Sequence, residues 1–194
     1  MPVGNQEEVD MERKRDRAEQ NLLLKPPQLQ LRNLFMARKG TIKPNILEPD
    51  PVYGSRLVTK LINRSMRDGK KNAARREIYE AFDIIKEKSG GDPLKVFNQA
   101  LGNIKPTMEV RPRRIGGAAY QVPAPVRGVR SESLAIRWLV AAANSKSNSD
   151  FHTYAAKLAA EITDAAKGEG VSVKKRLDVE RVAEANKAFA HFRW

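Results

Sequence analysis

The chain contains no cysteine. That excludes a disulfide framework, a cysteine-ligated zinc finger and thiol catalysis. Histidine is nearly as scarce: His152 and His191 are the only two in 194 residues, and their separation argues against a histidine metal cage. Aromatic residues make up 6%. The longest run without polar residues, Trp138–Ala143, falls far short of the ~20 residues that span a bilayer. No basic segment leading into an apolar core opens the chain, so no secretory signal is read and a soluble, reducing compartment is expected. Neither Gly116-Gly117 nor Gly168-Glu169-Gly170 fits a phosphate-binding glycine loop. Nothing assembles a nucleophile, a base and an oxyanion donor, so no enzyme, no metal and no cofactor are expected.

Positive charge is what the chain has in excess. Lys and Arg number 36 against 23 Asp and Glu, a formal net charge of +13, with a pI near 10.1. An excess of this size points to an anionic polymer or surface as partner. The bases are also unevenly placed. Between Arg32 and Arg76 there are twelve, against the three acids Glu48, Asp50 and Asp68. Between Lys105 and Arg130 there are six, against Glu109 alone.

The chain divides into three parts. Residues 1–35 carry mixed charge with almost no apolar face and read as a disordered or weakly helical extension. Met36 is itself a natural start, so an initiation site assigned too far upstream is an open alternative. Residues 36–53, basic and then punctuated by Pro44, Pro49 and Pro51, read as an extended arm that lies on a partner. Residues 54–194 read as one helical domain. Leu57, Val58, Leu61, Ile62 and Met66 fall at helical spacing, closed by Asp68-Gly69. A second helix runs from about Lys71 to Lys88. Asp92 and Pro93 start a third that ends by Pro106. Fourth, fifth and sixth helices are placed after the caps Ser131, Asp150 and Asp178, the last one capping or sitting early in its helix.

Residues 107–126 break the helical pattern. Two short β-prone runs flank Gly116-Gly117, which signals a hairpin. Pro112, Pro123 and Pro125 cannot donate to a central ladder, so this ribbon is expected to be an exposed arm. The expected fold is therefore mainly α: about six helices, one protruding hairpin between the third and fourth, and a basic amino-terminal arm. Arg suits phosphate because its planar fork donates two parallel hydrogen bonds. Tyr120 and Gln121 could stack on or bond to unpaired bases. Arg75-Arg76 fits a solvated helix face equally well. Trp138, Tyr79 and Phe82 read as core, the two histidines as surface or packing residues, and Glu161 with Asp164 as surface decoration.

Several segments resemble a known family. The run Glu109-Val110-Arg111-Pro112-Arg113-Arg114-Ile115-Gly116-Gly117-Ala118-Ala119-Tyr120-Gln121-Val122-Pro123 resembles the arm of bacterial-type small-subunit ribosomal protein seven. So do Asp68-Gly69-Lys70-Lys71, Leu134-Ala135-Ile136-Arg137-Trp138 and the closing Ala183–Trp194. The likeness covers about Asp50 to Trp194. It implies a six-helix bundle with a β-hairpin after the third helix. It implies a monomer within the ribosome that binds the 3′ major domain of small-subunit ribosomal RNA and nucleates assembly of the head. The hairpin residues Arg114, Gly116, Gly117, Ala118, Tyr120 and Gln121 would lie near exit-site transfer RNA and the messenger path. Small-subunit proteins nine and eleven would be neighbours, with no membrane involved. Its place would be the cytoplasmic small subunit, an organellar ribosome being the alternative.

The same resemblance assigns ribosomal RNA contacts to Arg38, Lys39 and Lys43 in the arm and to Lys70 and Lys71 at the first interhelix turn, and Arg75 is a further candidate contact on its charge. In the hairpin it assigns them to Arg113, Arg114, Gly116 and Gly117, and the charge of Arg111 makes it a further candidate contact. Arg130 and Arg137 follow on the fourth helix, and Lys174, Lys175 and Arg176 in a loop before the last. Three features depart from the pattern. Ala118-Ala119 replaces small hydroxyl residues, Pro112 stiffens the first strand, and Ser145–Ser149 is less basic. The acidic first twenty residues have no counterpart, and deleting residues 1–35 is expected to leave RNA affinity unchanged or raised. Two other classes compete: an architectural DNA-binding protein that inserts a ribbon arm into a groove, and an RNA-modifying enzyme, for which catalytic residues are lacking.

Overall fold

The computed structural model of the chain describes residues 47–192. The expected contacts Arg38, Lys39 and Lys43 lie outside the described residues. Three helices come first: α1 (Arg56–Ser65), α2 (Lys71–Ser89) and α3 (Pro93–Ile104). The strands β1 (Met108–Ile115) and β2 (Ala118–Pro125) follow, then α4 (Gly128–Ser145), α5 (Tyr154–Ala166) and α6 (Val171–Ala185). A 3₁₀ turn, Lys187–Phe192, closes the described chain.

Local chemistry sets most of these boundaries. Ser55 caps α1 by accepting from the Leu57 amide, and Asp92 does the same for Leu94 at α3, with Pro93 in the first turn. α2 stops at Gly90, whose φ of 63° is left-handed. The bundle is organised around α5, which packs against α2, α3, α4 and α6. Its inward residues Ala155, Leu158, Ile162 and Ala165 are fully buried. The alanines let neighbouring helices approach, and Leu158 and Ile162 fill the space against Phe82, Phe97 and Leu139. On α4 the deepest residues are Ala135, Leu139 and Ala143. Trp138 sits at the rim of the core, half-buried.

Several sequence expectations need correction. Ser131 is not a cap: α4 starts at Gly128, and the buried Ser131 hydroxyl donates to the Pro106 carbonyl at 3.0 Å, pinning the helix to the hairpin base. Thr153, not Asp150, caps α5. The last helix begins at Val171, so Lys174, Lys175 and Arg176 lie within α6 rather than in a loop. Only Ser172, Val173 and Ala183 of α6 are buried, which leaves almost no apolar stripe to announce it. Glu161 is no surface decoration but is fully buried. Residues 47–53 do not run out as an arm. Buried Asp50 accepts from the Val52 and Tyr53 amides and from the Tyr79 hydroxyl, and Tyr53 stacks edge-on against Phe82.

The two strands form an antiparallel hairpin with register Ile115↔Ala118 through Met108↔Pro125. Gly116 and Gly117 make the two-residue loop, with φ of 58° and 91°, the conformation a tight hairpin turn of matching twist requires. The Val126 amide donates to the Thr107 carbonyl at 3.0 Å. Counting from that bonded pair, Met108↔Pro125, Val110↔Pro123 and Pro112↔Gln121 are the non-hydrogen-bonded pairs. All three prolines therefore occupy positions where no ladder donor is needed. The ribbon is not a free arm, however: α6 packs on both strands and the 3₁₀ turn packs on β2.

Candidate nucleic-acid interface

Alternation along the strands places Glu109, Arg111 and Arg113 on one face of the hairpin, beside Ala124, Val122 and Tyr120 opposite. Arg114 belongs to the other face. At the base of the first face the hairpin meets the start of α4. There a cleft of about 600 Å³ opens, lined by Arg111, Arg113, Arg127 and Arg130 over Val122, Ala124, Pro125 and Val126. The Arg127 side chain does not cap α4, and its first turn carries no acid, so the positive end of the helix adds to the arginines.

Glu109, the partner of two of these arginines, is 7% exposed. It accepts from Arg111 Nε at 2.7 Å and from Arg130 Nε at 2.7 Å. Burial pushes its carboxyl up, but the two guanidinium groups outweigh burial and hold it below the usual carboxylate range. The Arg111 and Arg130 side chains stay half exposed. In the sequence Glu109 stands out only as a lone acid among bases. Its spacing of two from Arg111 on a strand was the available signal, since i and i+2 share a face.

The remaining expected residues are dispersed. Lys70 and Lys71 are exposed at the start of α2, after a turn in which Asp68 has a φ of 51°. Arg75 is half-buried one turn further on, its Nε buried with no hydrogen-bond partner. Arg137 projects from α4 and Lys174 and Lys175 from α6, all exposed. Arg176 lies 3.7 Å from Glu180 on its own helix, and Glu180 also takes the Thr107 amide and hydroxyl at the hairpin base. At the tip, Arg114, Gly116, Gly117, Ala118 and Gln121 are exposed. Tyr120, expected to be offered to a base, packs against Phe189 and Phe192 with centroids 5.2 and 5.7 Å away.

Some bases turn inward to structural work. Glu132 on α4 pairs with Lys60 at 2.8 Å and with Lys105 at 3.5 Å. The Lys60 hydrogen bond, aided by Lys105, lowers the Glu132 pKa. Lys146 pairs with Glu161 at 3.2 Å and Asp164 at 3.0 Å.

The chemistry of the cleft suits binding rather than reaction. Arginine holds its proton at all physiological pH and offers donors in a planar fork, which suits phosphate oxygens. Among the described residues, no group of three His, Asp or Glu could hold a metal ion. No described helix is long and apolar enough to cross a membrane.

Comparison with known proteins follows the same line. Residues 37–187 match the family profile described as Ribosomal protein S7p/S5e. The chain is 56% identical over 159 residues to the small ribosomal subunit protein uS7 of Carboxydothermus hydrogenoformans. It is 57% identical to that of Thermoanaerobacter pseudethanolicus and 56% to that of Thermus thermophilus, again over 159 residues. In each case the match covers 82% of this chain and 100% of the relative.

Proposed function

Since the chain belongs to the ribosomal protein S7p/S5e family, a structural and non-enzymatic component of the small ribosomal subunit in the cytoplasm, we propose that it binds the 3′ major domain of small-subunit ribosomal RNA directly and nucleates assembly of the subunit's head. The observation that carries this reading is the arginine-lined cleft at the junction of hairpin and α4. Phosphates of a folded RNA seat against Arg111, Arg113, Arg127 and Arg130. Arg114, Gly116 and Gly117 follow the backbone toward the tip, and Arg137, Lys174 and Lys175 widen the contact. Lys70, Lys71 and Arg75 form a separate patch at the start of α2. Arg38, Lys39 and Lys43, outside the described residues, are proposed as further RNA contacts. The exposed tip, with Ala118 and Gln121, is proposed to lie near exit-site transfer RNA and messenger. Small-subunit proteins nine and eleven are the proposed protein neighbours.

The test is a titration of the protein with a folded fragment of the 3′ major domain, with duplex DNA and a scrambled RNA as competitors at matched salt. Tight binding that survives both competitors is the expected result. Equal binding to all three would mean that charge alone acts, and would refute recognition of that RNA domain.

A further inference from the structure

We infer that Glu109 is a positioning residue of this interface: its buried carboxylate holds Arg111 and Arg130 at a set spacing across the hairpin–α4 cleft, so that the pair recognises a folded RNA backbone rather than any polyanion. The inference rests on the RNA-binding reading above.

A carboxylate at a phosphate-binding cleft opposes affinity by simple Coulomb repulsion. Its geometry supplies what its charge takes away. Arg111 comes from a strand and Arg130 from a helix 21 residues from Glu109 in sequence. Two like-charged groups from separate elements splay apart unless something holds them. Glu109 accepts the Nε of each at 2.7 Å, while both side chains stay half exposed and line the cleft. The rotamer freedom that each long side chain must lose on binding is thereby given up on folding instead. A fixed pair of forks discriminates by spacing, whereas mobile arginines follow any phosphate.

The hairpin base does not depend on Glu109 alone. The Ser131 hydroxyl bonds to the Pro106 carbonyl, and the Thr107 amide and hydroxyl bond to Glu180. Glu109→Gln, which keeps the shape and removes the charge, is therefore expected to fold.

The experiment titrates the full chain and its Glu109→Gln variant against the folded 3′ major-domain fragment and against a scrambled RNA of equal length. Affinity for the folded fragment is expected to fall about tenfold, while affinity for the scrambled RNA stays level or rises. A variant that binds the folded fragment as well as or better than the parent overturns the inference, because charge alone predicts that gain. Glu109→Asp keeps the charge but draws it back by one methylene, and a smaller loss confined to the folded fragment is expected. If circular dichroism shows Glu109→Gln unfolded, the aspartate variant decides, and unchanged selectivity in it overturns the inference. A parent protein that binds both RNAs equally refutes the underlying RNA reading, and the inference with it. A selective parent with an equally selective variant refutes only the role of Glu109.

Discussion

Glu161 and Ser172 meet across the turn between α5 and α6: the buried carboxylate accepts the Ser172 amide at 2.9 Å and its hydroxyl at 2.7 Å. The first turn of α6 thus receives its acceptor from eleven residues upstream instead of from an adjacent cap. Gly170 makes room for this. Its φ is 98°, and a Cβ there would stand 2.9 Å from the Glu161 carboxylate. Lys146 supplies the counter-charge from beyond the end of α4.

Replacing Glu161 with alanine strips the Ser172 donors and Lys146 of their common partner. A loss of about 2–3 kcal/mol is expected, since donors to a charged acceptor are left unpaired. Glu161→Gln retains one acceptor and should cost less. Thermal unfolding followed by circular dichroism measures both, and an unchanged Tm for Glu161→Ala would refute the remote cap.

Acid should weaken the fold through Glu109 and Glu132. Both carboxyls lie below their ordinary value of 4.5, Glu132 chiefly through Lys60, and Glu109 because Arg130 and Arg111 outweigh burial. Below 4.5 the unfolded chain binds protons that the folded chain refuses. Their contribution is therefore complete above that pH and drains away as pH falls through the folded values. Urea midpoints taken from neutral pH downward should show this, and Glu132→Gln should flatten the acid limb.

The alkaline limb runs the other way. Burial and the hydrogen bond to Asp50 push Tyr79 up to about 12 from 10.0. Across that window the folded state keeps a proton that the unfolded chain sheds, so stability falls as pH rises. Tyr79→Phe should reduce the slope. It will not abolish it, because Lys146 is also raised, with Asp164 and Glu161 outweighing the effect of burial. An unaltered slope in Tyr79→Phe would exclude Tyr79 from the effect.

Exchanging Arg113 and Arg114 together for alanine should weaken RNA binding while leaving helicity intact. About six neutralised phosphates give a log–log salt slope near −4 to −5, and losing two contacts should make it shallower by about 1.5. Since the two arginines occupy opposite faces of the ribbon, single variants should be additive to within a factor of about two. An unchanged slope would remove the hairpin from the interface.

Phe189→Ala should loosen the hairpin without melting the bundle. Tyr120 packs against both Phe189 and Phe192, and an aromatic pair contributes roughly 0.5–1.5 kcal/mol beyond area burial. Amide exchange in residues 108–125 should quicken by up to about tenfold, while α5 amides stay protected. Equal protection in parent and variant would show that the 3₁₀ turn does not brace β2.

The helices α2 and α3 stand in the expected places, and α5 starts three residues later than expected, because their apolar residues repeat at the helical period within one element. The hairpin stood between the third and fourth helices with its glycines at the loop. α6 is the exception, and it carried two errors with it. With three small buried residues it has no stripe, so the sequence pattern places its start as much as eight residues late, with Asp178 in place of Gly170 as cap, and reads its bases as a loop. Glu161 reads as a surface residue for a related reason: nothing within the α5 sequence tells that the start of α6 folds back over it.

The sequence by itself determined the order of helices and hairpin, the sign and rough position of the charge, and the motifs that place the chain in its family. These are local properties, carried by periodicity, turn residues and composition. The tertiary structure alone decided which cations face outward and which are tied down. Lys60 meets Glu132 across 72 residues and Arg130 meets Glu109 across 21, while Tyr120 turns to the closing 3₁₀ turn instead of toward solvent. A count of bases assigns them no partners. Pairing depends on how elements pack, because a charged group within a few ångströms of its counter-ion gains far more than one left in water.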